Sequence, residues 1–289
     1  MSPATTPAGT QTVCRPFFME TAAGRLFAIH HLPPVGLAVR GHVLCALPFN
    51  EEMNRSRSMV TLLAQALGSI GLGTLVVDLL GTGDSQGEYV DARWDIWLDN
   101  LADAQAWLQS QDGGCVALWG IRLGAILAAE LHARAANPQV ALLLWQPVTE
   151  GKVHLNQFMR VKIAAQMDRA ELPKLTTAAM RQQWLAGQPV EIVGYEIHPE
   201  LALAIEAASL TSHRVAESTA VLWLEQVVND SSEPSIASRK ALQTWPGDGV
   251  RLTTELFDGP PFWQVHERAL APDAVARSSR WLDAHTPRP

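Results

Sequence analysis

The chain has 289 residues, 47% of them hydrophobic and 18% charged, which is enough to bury one large core. Its formal net charge of −7 argues against a nucleic-acid partner or an anionic membrane surface, because no run of lysine and arginine is available to neutralise phosphates. The three cysteines lack a C-x-x-C spacing, which suits a reducing compartment, and no signal sequence or membrane span is recognisable. We therefore expect a soluble, cytoplasmic protein of unspecified oligomeric state.

Predicted strands and helices alternate along most of the chain. Short apolar runs ended by turn residues predict strands, and apolar residues at helical spacing predict the helices between them. In chain order we expect strand 25–30, strand 42–47, helix 58–67, strand 74–78, helix 94–108, strand 116–119, helix 125–131 and strand 140–145. This alternation predicts an α/β fold with a mostly parallel sheet flanked by helices.

A helix-rich segment interrupts the alternation. Residues 151–212 show helical spacing and no convincing buried strand, whereas strands resume at 220–224 and 250–256 before a helix at 272–284. We therefore predict a core formed by residues 1–150 and 213–289, with residues 151–212 inserted as a helical cap. The first segment of about 14 residues is rich in Ser, Thr, Pro, Ala and Gly and is expected to be disordered.

The most informative motif is Gly120-Ile121-Arg122-Leu123-Gly124. In the G-x-S-x-G nucleophile elbow, a buried strand turns sharply into a helix, and the flanking glycines let the two approach without Cβ clashes. An apolar strand precedes this motif and a strong helix former follows it, as the elbow requires. Arginine stands where the elbow has serine, and a guanidinium carries only donors and keeps its proton, so Arg122 cannot accept an acyl group.

Other motifs favour structure over chemistry. Residues 81–87 nearly form a dinucleotide-binding fingerprint, but the last glycine comes one residue late and no helix is predicted to begin there. The histidines show no ligand spacing, so we expect no metal and no cofactor. Cys45 and Ser85 are the alternative nucleophiles, although neither lies on a predicted strand-to-helix turn.

Two resemblances follow from these motifs. Residues 76–85, the elbow and the order of the strands resemble the α/β-hydrolase superfamily. Residues 47–57, the arginine in the elbow and residues 259–263 together resemble the exosortase A system-associated hydrolase 2 family, over about residues 17–281. This second resemblance implies the cap, a cytoplasmic location, and a place in bacterial loci for exopolysaccharide production and PEP-CTERM protein sorting, among acyl-activating enzymes.

The superfamily resemblance also implies where the other members of a catalytic triad belong. The acid follows the strand after the cap, which points to Asp230, with Glu225 as second choice, although Asp230 fits a solvated turn equally well. The histidine follows the last strand, where His266 is the only candidate, while the usual position is nearer Pro261 or Phe262. We therefore expect His266 to begin a helix rather than face the elbow.

Two interpretations of Arg122 stay open. An arginine at the first turn of a helix opposes the helix dipole, so a nearby anion is expected to offset it. In the structural interpretation, the loop 49–53 arches over the elbow, and Glu51 or Glu52 holds the guanidinium through two parallel N–H···O bonds. In the functional interpretation, the guanidinium and the N–H groups at the helix start bind a carboxylate or phosphate of a ligand.

Two functions are therefore expected. One is a protein that binds a small acyl or anionic ligand, or acts as a scaffold, with little ester hydrolysis. The other is an active esterase, thioesterase or acyltransferase that uses Ser85, Cys45 or a water activated by His266. An acyl carrier or another protein of the same locus is a further expected partner. The residues expected to form the binding site are Phe49, Glu51, Glu52, Leu123 and Trp263.

Overall fold

The computed structural model describes residues 11–166, 176–227, 232–265 and 267–288. It opens with an antiparallel hairpin of β1 (Val13–Thr21) and β2 (Gly24–Leu32), paired in register along their whole length. Order therefore begins earlier than expected, since the first two residues of β1 belong to the stretch predicted to be disordered. The ladder of backbone hydrogen bonds to β2 compensates there for a composition that does not favour order.

Strands and helices then alternate as predicted. The elements are β3 (Gly41–Ala46), α1 (Glu51–Gly68), β4 (Leu72–Val77), α2 (Trp94–Gln109), β5 (Cys115–Ile121), α3 (Gly124–Ala135) and β6 (Ala141–Trp145). Helix α1 begins well before its predicted start at residue 58, because two acidic residues occupy its first turn, where they complement the helix dipole. The expected loop 49–53 is therefore wrong: Glu51 and Glu52 lie on a helix.

The segment 151–212, which we refer to as the cap segment, lies between β6 and the next strand of the sheet. It contains α4 (Gly151–Gln166), α5 (Thr177–Leu185), β7 (Val190–Ile192), β8 (Tyr195–Ile197) and α6 (Pro199–Ala207). Sequence analysis predicted helices alone here, whereas β7 and β8 form a short antiparallel hairpin. Three-residue strands are too short to produce a detectable period-2 pattern. Among the described residues, no helix is long and apolar enough to cross a membrane.

The chain returns to the sheet through β9 (Ala220–Gln226), α7 (Ile236–Leu242), β10 (Arg251–Phe257) and α8 (Pro272–His285). The eight-stranded sheet has the order β1-β2-β4-β3-β5-β6-β9-β10. In the part of the sheet from β4 to β10 every neighbouring pair is parallel, whereas β1 with β2 and β2 with β4 pair antiparallel at one edge. The prediction of a mostly parallel sheet flanked by helices is confirmed.

Each face of the sheet is covered by a separate apolar core. Along β5, Leu118 packs with the residues of α2 and α3 on one face, while Trp119 packs with those of α1 and α8 on the other. Both side chains are buried, which explains why the strand is apolar at nearly every position instead of alternating.

The strand order places a crevice beside β3. The chain leaves β3 to form β4 on one side and later forms β5 on the other side, so the connections after β3 and β5 diverge at the carboxyl edge of the sheet. Open α/β sheets bind ligands at such a switch point. The segment 47–50 follows β3 here, and Arg122 follows β5.

Candidate functional site

The connection from β5 to α3 has the geometry of a nucleophile elbow. Arg122 adopts φ 54°, a left-handed conformation that is uncommon for a residue with a side chain. A Cβ atom at Gly120 would lie 2.4 Å from Ala125 Cα, and one at Gly124 would lie 2.3 Å from the carbonyl oxygen of Ala46. Both glycines are therefore required by close backbone approach, and the elbow positions an arginine side chain at the crevice.

Arg122 pairs with Glu52 on the first turn of α1. Its Nε donates to both carboxylate oxygens of Glu52, at 3.2 and 3.3 Å, and the two side chains are only 12% and 18% exposed. Glu52 is one of the two glutamates expected to hold Arg122. The expected geometry of two parallel N–H···O bonds is not found, because a single N–H is shared between the two carboxylate oxygens. Burial raises the pKa of Glu52, and the charge of Arg122 opposes that shift.

A second contact connects the elbow to the neighbouring strand ends. Arg122 Nη1 donates to the carbonyl oxygen of Gln146 at 3.1 Å, directly after β6. The Gln146 side chain accepts from the backbone N–H of Gln226 at 2.8 Å, and Gln226 Nε2 donates to the carbonyl oxygen of Gly259 at 2.6 Å. These bonds join the carboxyl ends of β5, β6, β9 and β10, so the guanidinium is part of a network that fixes this edge of the sheet.

Trp263 covers the other side of the guanidinium. The centroid of its ring lies 5.4 Å from Arg122 Cζ, within the range of a cation–π contact. Trp263 is 3% exposed, and its Nε1 has no hydrogen-bond partner in the part of the chain that the structure describes. Phe262, one of the usual positions of a catalytic histidine, is buried against Trp145 with ring centroids 5.7 Å apart. Among the described residues after the last strand, Trp263 is therefore the one whose ring contacts the guanidinium.

His154 on α4 of the cap segment also faces this environment. It is 6% exposed, and its Nε2 has no partner among the described residues. Burial, with a smaller contribution from the charge of Arg122, lowers the pKa of His154 to about 3, so the ring is neutral at pH 7. A neutral imidazole next to a guanidinium can donate or accept one further hydrogen bond, depending on its tautomer.

Two cavities meet at Arg122. The first, of about 620 Å³, is mostly apolar and lies between α1, α4 and the turn after β10. The second, of about 630 Å³, is polar and extends towards α7. Arg122, His154, Gln157 and Gln264 line both. We refer to the two together as the elbow cleft. Each half taken alone has the volume of a small-molecule site, which is about 300–1,000 Å³.

The other predicted binding residues, Glu51, Phe49 and Leu123, lie at three different places around the elbow. Glu51 does not contact Arg122 and instead accepts a 2.8 Å hydrogen bond from the hydroxyl of Tyr195 on β8, which connects α1 to the cap segment. Phe49 lines the apolar half of the elbow cleft. Leu123 is buried directly before α3 and lines a different cavity, on the α2 and α3 side of the elbow.

The first-choice acid and the base predicted from the sequence fall on residues that the structure does not describe. Asp230 and His266 lie outside the described residues. Glu225, the second choice for the acid, is buried at the end of β9 and accepts from Trp223 Nε1 at 3.2 Å and from the backbone N–H of Ser235 at 3.1 Å. It lines the polar half of the elbow cleft but bonds no histidine among the described residues.

The two alternative nucleophiles, Cys45 and Ser85, are held by burial or by backbone hydrogen bonds away from the elbow cleft. Cys45 is fully buried within β3, and burial strongly raises the pKa of its thiol. The hydroxyl of Ser85 donates to the carbonyl oxygen of Asp78 at 2.5 Å and accepts from the backbone N–H of Phe27 at 2.8 Å, which joins a turn to the sheet. Neither residue lines the elbow cleft.

Sequence reasoning missed His154 and Gln146. His154 lies on a helix of the cap segment, and no local pattern indicates which face of such a helix will cover the sheet. Gln146 follows a predicted strand, and polar residues at the carboxyl ends of parallel strands are the signal that could have identified it. Among the described residues, no group of three or more His, Cys, Asp or Glu side chains is arranged to hold a metal ion.

Comparison with known proteins identifies the fold. No family model and no curated protein match the chain. A soluble variant of monoglyceride lipase from Saccharomyces cerevisiae with a substrate analogue is similar in structure, with a TM-score of 0.63, 12% identity, and coverage of 99% of this chain and 100% of that chain. Est1E from Butyrivibrio proteoclasticus with bound ferulic acid is also similar, with a TM-score of 0.60, 13% identity, and coverage of 93% of this chain and 96% of that chain. An α/β serine hydrolase without a lid from Xanthomonas campestris has a TM-score of 0.58 and 12% identity, and the match covers 96% of each chain. The chain has the α/β-hydrolase fold, with arginine at the elbow.

Proposed function

We propose that this protein binds a small anionic ligand, such as an acyl carboxylate or a phosphate ester, in the elbow cleft, and that it does not hydrolyse esters through the elbow. The observation that carries the proposal is the set of groups around Arg122. The guanidinium is accompanied by two buried side chains, His154 and Trp263, each with a ring nitrogen that has no partner among the described residues. A buried polar group without a partner is costly, so the indole N–H of Trp263 favours a ligand oxygen, as does Nε2 of His154 in the tautomer that carries the proton there.

The charge at the elbow supports an anion over a neutral ligand. Glu52 offsets part of the positive charge of Arg122, but its own pKa is raised by burial, so the carboxylate holds its proton more readily than a free one. Nη2 of Arg122 makes no hydrogen bond to the described residues, and a guanidinium binds carboxylate and phosphate through paired donors. The start of α3 adds the positive end of a helix dipole at the same place.

The shape of the elbow cleft supports an acyl ligand. Phe49, Phe158, Val161 and Val193 line the half towards α1 and the hairpin β7–β8, whereas threonine, serine, glutamine and glutamate side chains line the half towards α7. An apolar chain would lie in the first half, with its anionic end at Arg122.

Calorimetric titration with hexanoate, hexyl phosphate and hexanol tests the proposal. We expect the two anions to bind at least about tenfold more tightly than the alcohol, which corresponds to about 1.4 kcal/mol. Arg122→Gln should abolish this preference and leave hexanol binding unchanged. The matched control is Arg134→Gln, which removes an exposed arginine from α3. Equal binding of all three ligands to the unaltered protein would contradict the proposal even if Arg122→Gln failed to fold.

Absence of hydrolysis is tested separately. A fluorophosphonate probe and p-nitrophenyl butyrate should give no adduct and no burst, because the side chain on the elbow lacks a nucleophilic atom. An adduct mapped to Ser85 or Cys45 would instead favour the esterase interpretation.

We further propose that the ligand, or an acyl carrier that delivers it, belongs to an exosortase and exopolysaccharide locus, and that the protein acts in the cytoplasm. Support comes from the segments that carry the family resemblance, because they contact each other: Glu52 belongs to residues 47–57, Trp263 to residues 259–263, and both contact Arg122. Deleting the gene in its native host should reduce exopolysaccharide or its acylation, and complementation with Arg122→Gln should not restore it. Unchanged exopolysaccharide after deletion would contradict this assignment.

A further inference from the structure

A second cavity lies on the α2 and α3 side of the elbow. It measures about 330 Å³ and is enclosed by the segment 47–54, the turn 81–89, α2, α3 and the hairpin β7–β8. We refer to it as the inner cavity. Arg122 does not line it, and of its lining residues only Glu88 is charged and exposed. An anion would find no positive charge there, so any ligand of this cavity is neutral.

The walls of the inner cavity are apolar and aromatic. Leu79, Leu123 and Leu127 come from strand ends and from α3, and all three are buried. The aromatic rings are those of Phe49, Tyr89, Trp97 and Tyr195. Such walls favour a flat or short apolar molecule, which gains the transfer free energy of its buried surface and edge-to-face contacts with the rings.

Asn50 supplies a buried polar group to this cavity, which Asn54, Thr82 and Glu88 also line. It is 5% exposed, its Oδ1 accepts a hydrogen bond from the hydroxyl of Tyr89, and its Nδ2 has no partner among the described residues. Asparagine at the N-cap of a helix usually accepts a hydrogen bond from the first turn, but the side chain of Asn50 makes no such bond to α1. Its amide therefore contributes nothing to helix capping and leaves one buried donor for another acceptor.

Phe49 separates the inner cavity from the elbow cleft. Its ring lies edge-on to Tyr89 and Trp97 at centroid distances of 6.4 and 6.3 Å, and to His154 and Phe158 at 5.9 and 5.4 Å. It lines both spaces, so the two are neighbouring sites that share one wall.

We infer that the inner cavity is a second ligand site, which takes a small neutral molecule with an aromatic or short aliphatic body and one uncharged acceptor, such as a carbonyl oxygen. Nδ2 of Asn50 donates to that acceptor, and the leucine and aromatic walls hold the body. The site is distinct in chemistry from the elbow cleft, which takes the charged ligand, and it does not depend on that assignment.

Acetophenone and α-methylstyrene are suitable probes, because they have nearly the same shape and differ in the acceptor oxygen. In ligand-observed NMR titrations of the full chain, acetophenone should bind at least about tenfold more tightly than α-methylstyrene. Hexanoate should not displace acetophenone, because it binds in the other space. Equal affinities for the two probes, or no detectable binding of acetophenone, would overturn the inference, and this comparison needs no variant.

Two variants locate the binding. Asn50→Asp keeps the shape and an acceptor for Tyr89 but removes the donor, so it should abolish the preference for acetophenone. Its matched control, Asn137→Asp, changes an exposed turn after α3 and should keep the preference. Leu127→Trp fills the inner cavity and should abolish binding of both probes. Unchanged acetophenone binding in folded Asn50→Asp and Leu127→Trp would place the ligand elsewhere and overturn the inference.

Discussion

The ring of Trp263 and the carboxylate of Glu52 both contact the guanidinium of Arg122, the ring at 5.4 Å from Cζ and the carboxylate at 3.2 Å from Nε. In a hydrolase of this fold, the elbow side chain faces a base that follows the last strand. Here the described residue that contacts the elbow from that position is Trp263, whose indole N–H donates a hydrogen bond but cannot act as a base. The elbow has kept its backbone geometry, while its side chain has become the centre of an ionic and aromatic cluster.

The Arg122–Glu52 pair should contribute measurably to stability. Breaking a buried pair costs about 3–5 kcal/mol, and the residual exposure of both side chains lowers the expectation to about 2 kcal/mol for Arg122→Met. Urea unfolding of Arg122→Met, Glu52→Gln and the double variant gives the coupling energy. The control cycle uses Arg239 and Glu233, an exposed pair at the start of α7, where coupling should stay below about 0.5 kcal/mol. Equal coupling energies in both cycles would show that the Arg122–Glu52 pair stabilises the fold no more than an exposed ion pair does.

The fold could be predicted from the sequence because its signals are local. Buried parallel strands are continuous apolar runs, and the glycines of the elbow are required by backbone contacts that the motif itself implies. The candidate site was predictable only in part. The identity of Glu52 as the partner depends on α1 beginning at Glu51, about two turns before its predicted start, because adjacent residues of a helix project about 100° apart and only one of the two glutamates then faces the elbow.

The rest of the site depends on long-range packing. His154 and Asn50 carry buried nitrogens that have no partner in the described part of the chain, but nothing in the sequence near them distinguishes them from surface residues. Trp263 was named as a binding residue through the family resemblance, whereas its position over Arg122 follows from the turn after β10. Side chains that meet across elements 100 or more residues apart leave no periodic pattern in the sequence.

Acidification should destabilise the fold through His154. Its pKa lies near 3 in the folded chain and near 6.5 when exposed, so between these values only the unfolded chain binds the proton. The free energy of unfolding therefore falls as pH drops through this window, by up to about 1.4 kcal/mol per pH unit from this group. Urea titrations at neutral pH and at about pH 5 should show a smaller decrease for His154→Gln. Gln157→Asn, a non-titrating change on the same helix, should keep the full decrease. Parallel profiles for His154→Gln and the unaltered protein would contradict the burial argument.

The elbow should tolerate no side chain at Gly124. An added Cβ would lie 2.3 and 2.6 Å from the carbonyl oxygens of Ala46 and Leu47, and backbone atoms cannot rotate away as a side chain can. We expect Gly124→Ala to cost more than about 3 kcal/mol in thermal or urea unfolding. Gly187→Ala is the control, because its φ of 77° is also left-handed but the space around it is open, so it should cost about 1–2 kcal/mol. A small effect at Gly124 would mean that β3 and α3 can separate.

Introducing ester hydrolysis at the elbow should require two changes. Arg122→Ser places a hydroxyl on a turn whose glycines are already correct, but it supplies no base within about 2.6–3.2 Å. Phe262 is not the position for that base, because its ring is packed against Trp145 in the core. Trp263 faces the elbow, so Arg122→Ser with Trp263→His should bring an imidazole towards the new hydroxyl.

We expect the single variant to stay close to background in p-nitrophenyl butyrate hydrolysis, and the double variant to exceed it by about 10²-fold, the lower range for a positioned base. The control combines Arg122→Ser with Phe262→His and should remain inactive. If Arg122→Ser alone reached the rate of the double variant, a base outside the described contacts would already serve the elbow, and the nucleophile would be the only catalytic group that the elbow lacks.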